Sequence, residues 1–266
     1  MSSLESSKVV RVRAVGHRLR RLLGAAIVAA LPFLAASAAL AATDNQCVAC
    51  HEAEQLPISL GHSFDEWRAS AHGRSGVGCE KCHGGDAHAK DAATAHVGVL
   101  PAHDVKSLVS TRNLARTCGG CHQAEYDAYA KTVHAKEVAE QGQGATCYTC
   151  HGSMATTLPS PAVLSERCAE CHKKSMNAVA ALLILATDRI QLWRTSRTLD
   201  DARNVDSQWH GEAVQRLHAM ERDLKSIELT WHTFDLDKVL TQGHDLLKLV
   251  KLLDEEAKVR MHRVQH

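Results

Sequence analysis

The residues able to do chemistry in this chain stand in five copies of one string, Cys-x-x-Cys-His, which together take up all ten cysteines. The paired thiols are Cys47 and Cys50, Cys79 and Cys82, Cys118 and Cys121, Cys147 and Cys150, and Cys168 and Cys171. Two thiols three residues apart project from one helical turn and can both reach the vinyl groups of a single porphyrin. The adjoining His51, His83, His122, His151 or His172 then lies against the iron as its proximal ligand. The spacing predicts five covalently bound haem c groups, each carrying one iron.

Paired cysteines also build zinc sites and redox-active disulfides. Neither use requires a histidine directly after every pair. Histidine makes up 18 of 266 residues, so five such coincidences have odds on the order of one in a million. A fifth pair is also one too many for zinc sites of four thiolates.

Five irons need at most five further axial ligands. Setting aside His17 and the five proximal residues leaves twelve of the 18 histidines. His72 and His134 are the leading candidates. His62, His88, His96 and His103 lie between motifs, where a loop can fold back onto a neighbouring porphyrin; the competing roles are surface residue and propionate partner. In the C-terminal part His210, His218, His232 and His244 read as ordinary surface or core residues. His232, within Trp231-His232-Thr233-Phe234-Asp235, is the first of these to test. The second motif is followed by His88 and His96, whereas the fourth is followed by Gly152-Ser153-Met154 without a histidine. Four alternatives stand there: Met154 as a ligand, a distant histidine, an open iron, or Met154 as plain packing.

The elements that position these residues include an internal repeat. Phe64-Asp65-Glu66-Trp67-Arg68-Ala69-Ser70-Ala71-His72 aligns without gaps on Tyr126-Asp127-Ala128-Tyr129-Ala130-Lys131-Thr132-Val133-His134. The closing elements match as well, Gly76-Val77-Gly78-Cys79 with Gly144-Ala145-Thr146-Cys147, and Cys82-His83-Gly84 with Cys150-His151-Gly152. Such self-similarity marks a duplicated unit: haem motif, short amphipathic helix ending in histidine, haem motif. Haems one and two form one copy, three and four the other, and the fifth is appended. On a helix Phe64, Trp67 and Ala71 share a face, with His72 close to it.

The chain reads as mainly α, in three parts: a signal peptide over 1–41, a pentahaem region over 42–175 and a helical region over 176–266. With only ten aromatic residues in the whole chain, the haem region cannot bury enough side-chain surface alone, so loops and short helices wrapped around porphyrins are expected. From Met176 onward apolar residues recur at helical spacing: Leu182 to Leu185, Ile190 and Trp193; then Val214, Leu217, Met220, Leu224 and Ile227; then Leu236, Val239, Leu240, Leu246, Leu247, Val250 and Leu253. Three packed helices follow, with Asp235 capping the last. Their stripes are read as core, with a homo-dimer interface as the minority reading. Asp188 and Arg189 interrupt the first apolar run and argue against a membrane span.

Lys8, Arg11, Arg13, Arg18, Arg20 and Arg21 precede an apolar run from Leu22 to Ala42, and Ala39-Leu40-Ala41 supplies a small-x-small cleavage pattern. Cleavage is expected, with an uncleaved N-terminal membrane anchor as the alternative. The expected compartment is the periplasm, with no structural disulfides, because ten thiols must stay reduced until haem is attached. Loss of 1–41 leaves 25 basic against 29 acidic residues. That balance makes nucleic acid an unsuitable partner and favours redox proteins with basic docking surfaces.

The pattern [Phe/Tyr]-Asp-x-[Trp/Tyr]-x-x-[Ser/Thr]-x-His, then Cys-x-x-Cys-His-Gly, resembles multihaem cytochromes c. More narrowly it is similar to the superfamily of hydroxylamine oxidoreductase, pentahaem nitrite reductase and small tetrahaem electron carriers. The stretch from Ala95-His96-Val97 through Asn113 to the third motif also resembles multihaem redox-partner cytochromes. The resemblance covers residues 47–175 and implies closely stacked haems, with His72 and His134 as distal ligands. Pentahaem nitrite reductases have one motif ending in lysine; all five here end in histidine. Hydroxylamine oxidoreductases cross-link a tyrosine to the catalytic porphyrin; two of the three tyrosines here lie in the repeat helix. The expectation is therefore an electron-transfer protein with mostly bis-histidine haems. The alternative is an oxidoreductase acting on a small nitrogen or sulfur species at one open haem.

Overall fold

The computed structural model describes residues 45–53, 63–173 and 176–264. The expected leader and His62 lie outside the described residues. The architecture is mainly α, as expected, with no strand among the described residues.

Ten helices of four to nine residues carry the haem motifs: α1 Gln46–Ala53, α2 Phe64–Ala69, α3 Ala71–Arg74, α4 Glu80–His83, α5 Ala92–Ala95, α6 Thr111–Gly119, α7 Gln123–Tyr129, α8 Val133–Gln141, α9 Cys147–His151 and α10 Pro161–Ala169. Helices this short do not hold themselves together in water. Few large apolar side chains are buried among them: Val48, Trp67, Tyr129, Val138 and Leu164.

The repeat corrects the expectation of one helix ending in histidine. In both copies the helix breaks two residues before the histidine, at Ser70 and at Thr132, each with extended backbone. Ser70 Oγ accepts from Gly73 N at 3.0 Å, and Thr132 Oγ1 accepts from Ala135 N at 3.1 Å. A hydroxyl that can cap a new helix competes with continuation of the old one. His72 and His134 therefore stand in the first turn of α3 and α8.

The duplication extends to a matched pair of tethers. Trp67 Nε1 donates to Val77 O at 3.0 Å, and Tyr129 Oη donates to Ala145 O at 2.9 Å. Each acceptor lies two residues before the next motif's first cysteine. Different aromatics thus make the same bond, pinning the repeat helix to the entry of the following haem site. After that motif, Gly84 and Gly152 take φ of 79° and 77°, a conformation that side chains with a Cβ avoid.

Three long helices follow: α11 Met176–Ala202, α12 Ser207–Trp231 and α13 Leu236–Val264. Asn177 bonds Asp237 and Thr198 bonds Asp254, so α11 and α13 run parallel. Trp209 bonds Glu256 and Arg189 bonds Glu228, so α12 runs against both. Leu185, Leu192 and Leu199 repeat every seventh residue, facing Leu217 and Leu224 of α12 and Leu246, Val250 and Leu253 of α13, the spacing that keeps one seam buried between slightly supercoiled helices. Asp235 caps α13, accepting from Lys238 N at 3.2 Å. Not all of the apolar residues of α11 are core. Leu183, Ile190 and Trp193 are 50%, 52% and 65% exposed, because a helix in a three-helix bundle buries one side only.

Asp188 is the exception inside this core. It is fully buried, and neither carboxylate oxygen has a hydrogen-bond partner among the described residues. Burial pushes its carboxyl up to about 7, against a smaller downward pull from His244. Gly243 makes room for it, since a Cβ there would stand 3.2 Å from Asp188 Oδ2 and 2.8 Å from Ile184.

Candidate haem sites

Each motif is built on one turn of helix. His83 N, His122 N and His172 N donate to the carbonyls of Cys79, Cys118 and Cys168 at 2.9, 2.9 and 2.8 Å. That bond closes the turn and brings both thiols and the histidine onto adjoining sides of it. Among the described residues no disulfide joins any of the ten cysteines. In the third motif Gly119 lets Tyr126 pack directly on the turn, where a Cβ would come within 2.7 Å of the ring.

The motifs follow one another in space in chain order. Cys47 lies close enough to Cys79 to add to the upward push that burial gives that thiol, to about 11. Cys82 is influenced by Cys118 and Cys121. Cys118 and Cys147 share a hydrogen bond, which raises the first thiol and lowers the second. Cys168 adds to the upward push of burial on Cys150. Motifs one and two, like three and four, influence one another through their first cysteines. Motifs two and three, like four and five, do so through the second cysteine of one and the first of the next.

Among the described residues, four motif histidines are seen facing a second imidazole. The ring centres of His51 and His96 are 5.9 Å apart, those of His72 and His122 5.9 Å, those of His134 and His172 5.8 Å, and those of His151 and His232 6.3 Å. A metal–imidazole bond is about 2 Å, so two rings on opposite sides of one iron hold their centres about 6.2 Å apart. The residues present thus fit a six-coordinate haem iron at four sites. The two repeat histidines obey one rule: each skips the next motif and meets the proximal histidine of the one after.

Hydrogen bonds fix the tautomers of three of these rings. His96 Nδ1 bonds Ala92 O at 2.8 Å, His151 Nδ1 bonds Thr157 O at 3.0 Å and His232 Nδ1 bonds Glu228 O at 2.9 Å. A carbonyl oxygen can only accept, so the proton sits on Nδ1 and Nε2 keeps its lone pair for a metal. Burial, followed by the facing histidine, pulls the pKa of His72 and of His134 down, with a smaller opposing effect from Glu137 on the second. His232 is likewise lowered, chiefly by burial. Neutral imidazole is the form that coordinates metal.

The remaining sequence candidates are placed differently. His88 and His103 are exposed, and neither ring is paired with a motif histidine among the described residues. Met154 lines a cavity of about 350 Å³ with Tyr148, Gly152 and Arg167, while His232 stands opposite the fourth proximal histidine. The sequence signal for His232 was the absence of a histidine after the fourth motif. Its identity could not be read from spacing, because it lies in the helical half.

Comparison with known proteins points the same way. Residues 102–178 match the family model of cytochrome c7 and related cytochrome c, and residues 34–84 match that of cytochrome c554 and c-prime. The chain is 35% identical over 79 residues to the C-type polyheme cytochrome OmcC of Geobacter sulfurreducens, covering 30% of this chain and 9% of that protein. It is 29% identical over 116 residues to the C-type polyheme cytochrome OmcB of the same species, covering 41% of this chain and 14% of that one. No solved structure matches significantly. These matches and the motifs support a multihaem c-type cytochrome that binds haem c covalently; the chain spans only a small part of the length of the curated relatives it matches. Among the described residues no helix is long and apolar enough to cross a membrane.

Proposed function

We propose that this multihaem c-type cytochrome is a periplasmic electron carrier with five haems, most of them held by two histidines. The division into a leader over 1–41, a haem region over 42–175 and a helical region over 176–266 belongs to the same proposal. The observation that carries it is the four imidazole pairs at 5.8–6.3 Å. A histidine on each side fills both axial positions and leaves no place for a substrate, which suits electron transfer. When bound, the haem irons supply the one-electron chemistry between ferric and ferrous states. The chain's own residues set the spacing, exclude water and choose the axial field.

In this reading His96 pairs with His51, His72 with His122 and His134 with His172, while His62 remains a candidate distal ligand. The electrostatic influence of each motif's cysteines on those of the next supports a relay running in chain order from the first haem to the fifth. The partners are redox proteins that dock near the ends of that relay. A homo-dimer through the outer face of α11, where Leu183, Ile190 and Trp193 are exposed, is part of the proposal as well.

Electron paramagnetic resonance of the oxidised protein tests this directly, because it counts irons lacking a second strong ligand. The expected spectrum is wholly low-spin, and His134→Ala turns one haem of five high-spin. A high-spin haem in the unmodified protein moves the assignment to an oxidoreductase with an open iron.

A further inference from the structure

We infer that the turn joining α12 to α13 is the distal-ligand arm of the fourth haem and a buttress of the fifth, so that the helical bundle forms one wall of the haem array. This rests on the bis-histidine reading and extends it to a residue outside the haem region.

His232 is the C-cap of α12, and its ring is parallel to that of His151 within 11°, with centres 6.3 Å apart. Aromatic rings stacked in direct contact lie closer, while two imidazoles across an iron lie at about 6.2 Å. Both rings spend their Nδ1 proton on a carbonyl, His232 on Glu228 O and His151 on Thr157 O. Both therefore keep Nε2 for a metal.

Two residues further on, Phe234 packs edge-on against His134, with ring centres 4.6 Å apart and planes at 82°. His134 in turn faces His172 of the fifth motif. Phe234 holds φ of 59°, a left-handed conformation that a bulky residue rarely adopts. The turn is held by Phe234 N donating to Trp231 O at 2.9 Å and by Thr233 Oγ1 donating to Thr230 O at 2.7 Å. Behind it, Arg189 Nε bonds Glu228 at 2.7 Å and ties this end of α12 to α11. The bundle thus presents a rigid corner to two neighbouring haem sites.

The fourth haem should also differ from its neighbours. Its two rings are nearly coplanar in direction, whereas the other pairs cross at 53–67°. The relative orientation of two axial imidazole planes governs the anisotropy of a low-spin ferric signal, so this haem contributes a component of its own.

The test uses the full-length protein with five haems, confirmed by mass. In the His232→Ala variant one haem of five becomes high-spin, the component from parallel rings disappears, and the reduced protein takes up one carbon monoxide per chain. Added imidazole restores the low-spin state. His134→Ala, made alongside, removes a different component. If His134→Ala opens one haem and His232→Ala opens none, the inference fails while the electron-carrier reading stands. If the unmodified protein already holds a high-spin haem, the reading beneath it fails. Should His232→Ala lose haem, His232→Met keeps the bulk and exchanges nitrogen for thioether sulfur, raising one of the five potentials; five unchanged potentials overturn the assignment.

Discussion

Residues 45–53 with 63–173, and residues 176–264, solve the problem of an interior in different ways. The contiguous apolar core of the described residues begins at Ala181 and ends at Ala257, and none of its members lies in the haem region. The bundle's helices run 25 to 29 residues and bury one seam of leucine, valine and alanine. The haem region offers helices of four to nine residues and a scatter of buried side chains. A bundle of that kind is held by its own apolar burial. The haem region has backbone order without the side-chain volume to enforce it, and in the proposed reading its apolar filling is the porphyrin. In that reading the same chain carries one part that folds around itself and one that folds around its cofactor.

That contrast can be broken at its strongest point by making the chain without haem, with all ten cysteines changed to serine. The expected result is loss of amide protection throughout 45–173 and retention of it in α11, α12 and α13. Hydrogen exchange read by mass spectrometry decides it; protected amides in α2 to α10 would mean that the haem region holds without porphyrin.

A smaller effect sharpens the other side. Asp188 has an ordinary value of 3.8, and burial in the bundle raises it to about 7. Between those values the folded chain keeps its proton while the unfolded chain gives it up. Stability is thus fully present below pH 3.8, falls as pH rises towards 7, and is flat above. Asp188→Asn, neutral at every pH, is expected to remove that slope and to leave the bundle about 2–4 kcal/mol more stable at alkaline pH. Urea midpoints of variant and parent across that range supply the comparison, and parallel curves would show that Asp188 does not titrate in this window.

The smallest change probes the tethers. Tyr129→Phe removes the bond to Ala145 O and is expected to cost about 1 kcal/mol in the haem-bound protein. The loss should appear as faster amide exchange between Gly144 and His151 with no change in the bundle. Equal loosening of α11 to α13 would mean that the two regions unfold as one.

The sequence by itself determined everything that lies within one helical turn or one regular stripe. Five thiol pairs with their proximal histidines, the duplicated segment, the three long helices and the Asp235 cap all depend on residues a few positions apart, where backbone geometry is fixed. The break at Ser70 and Thr132 was written in the repeat as its [Ser/Thr] position, but a hydroxyl inside an amphipathic pattern reads equally as a helix residue until its bonds are known. Tertiary structure alone decided which histidine faces which. His96 meets His51, His72 meets His122, His134 meets His172 and His232 meets His151 across 38 to 81 residues of chain. Loop closure over such distances depends only weakly on length, so spacing carries almost no information about the partner. The packing of the bundle against α7 and α10 carried His232 and Phe234 to the fourth and fifth sites, where no local pattern could have put them.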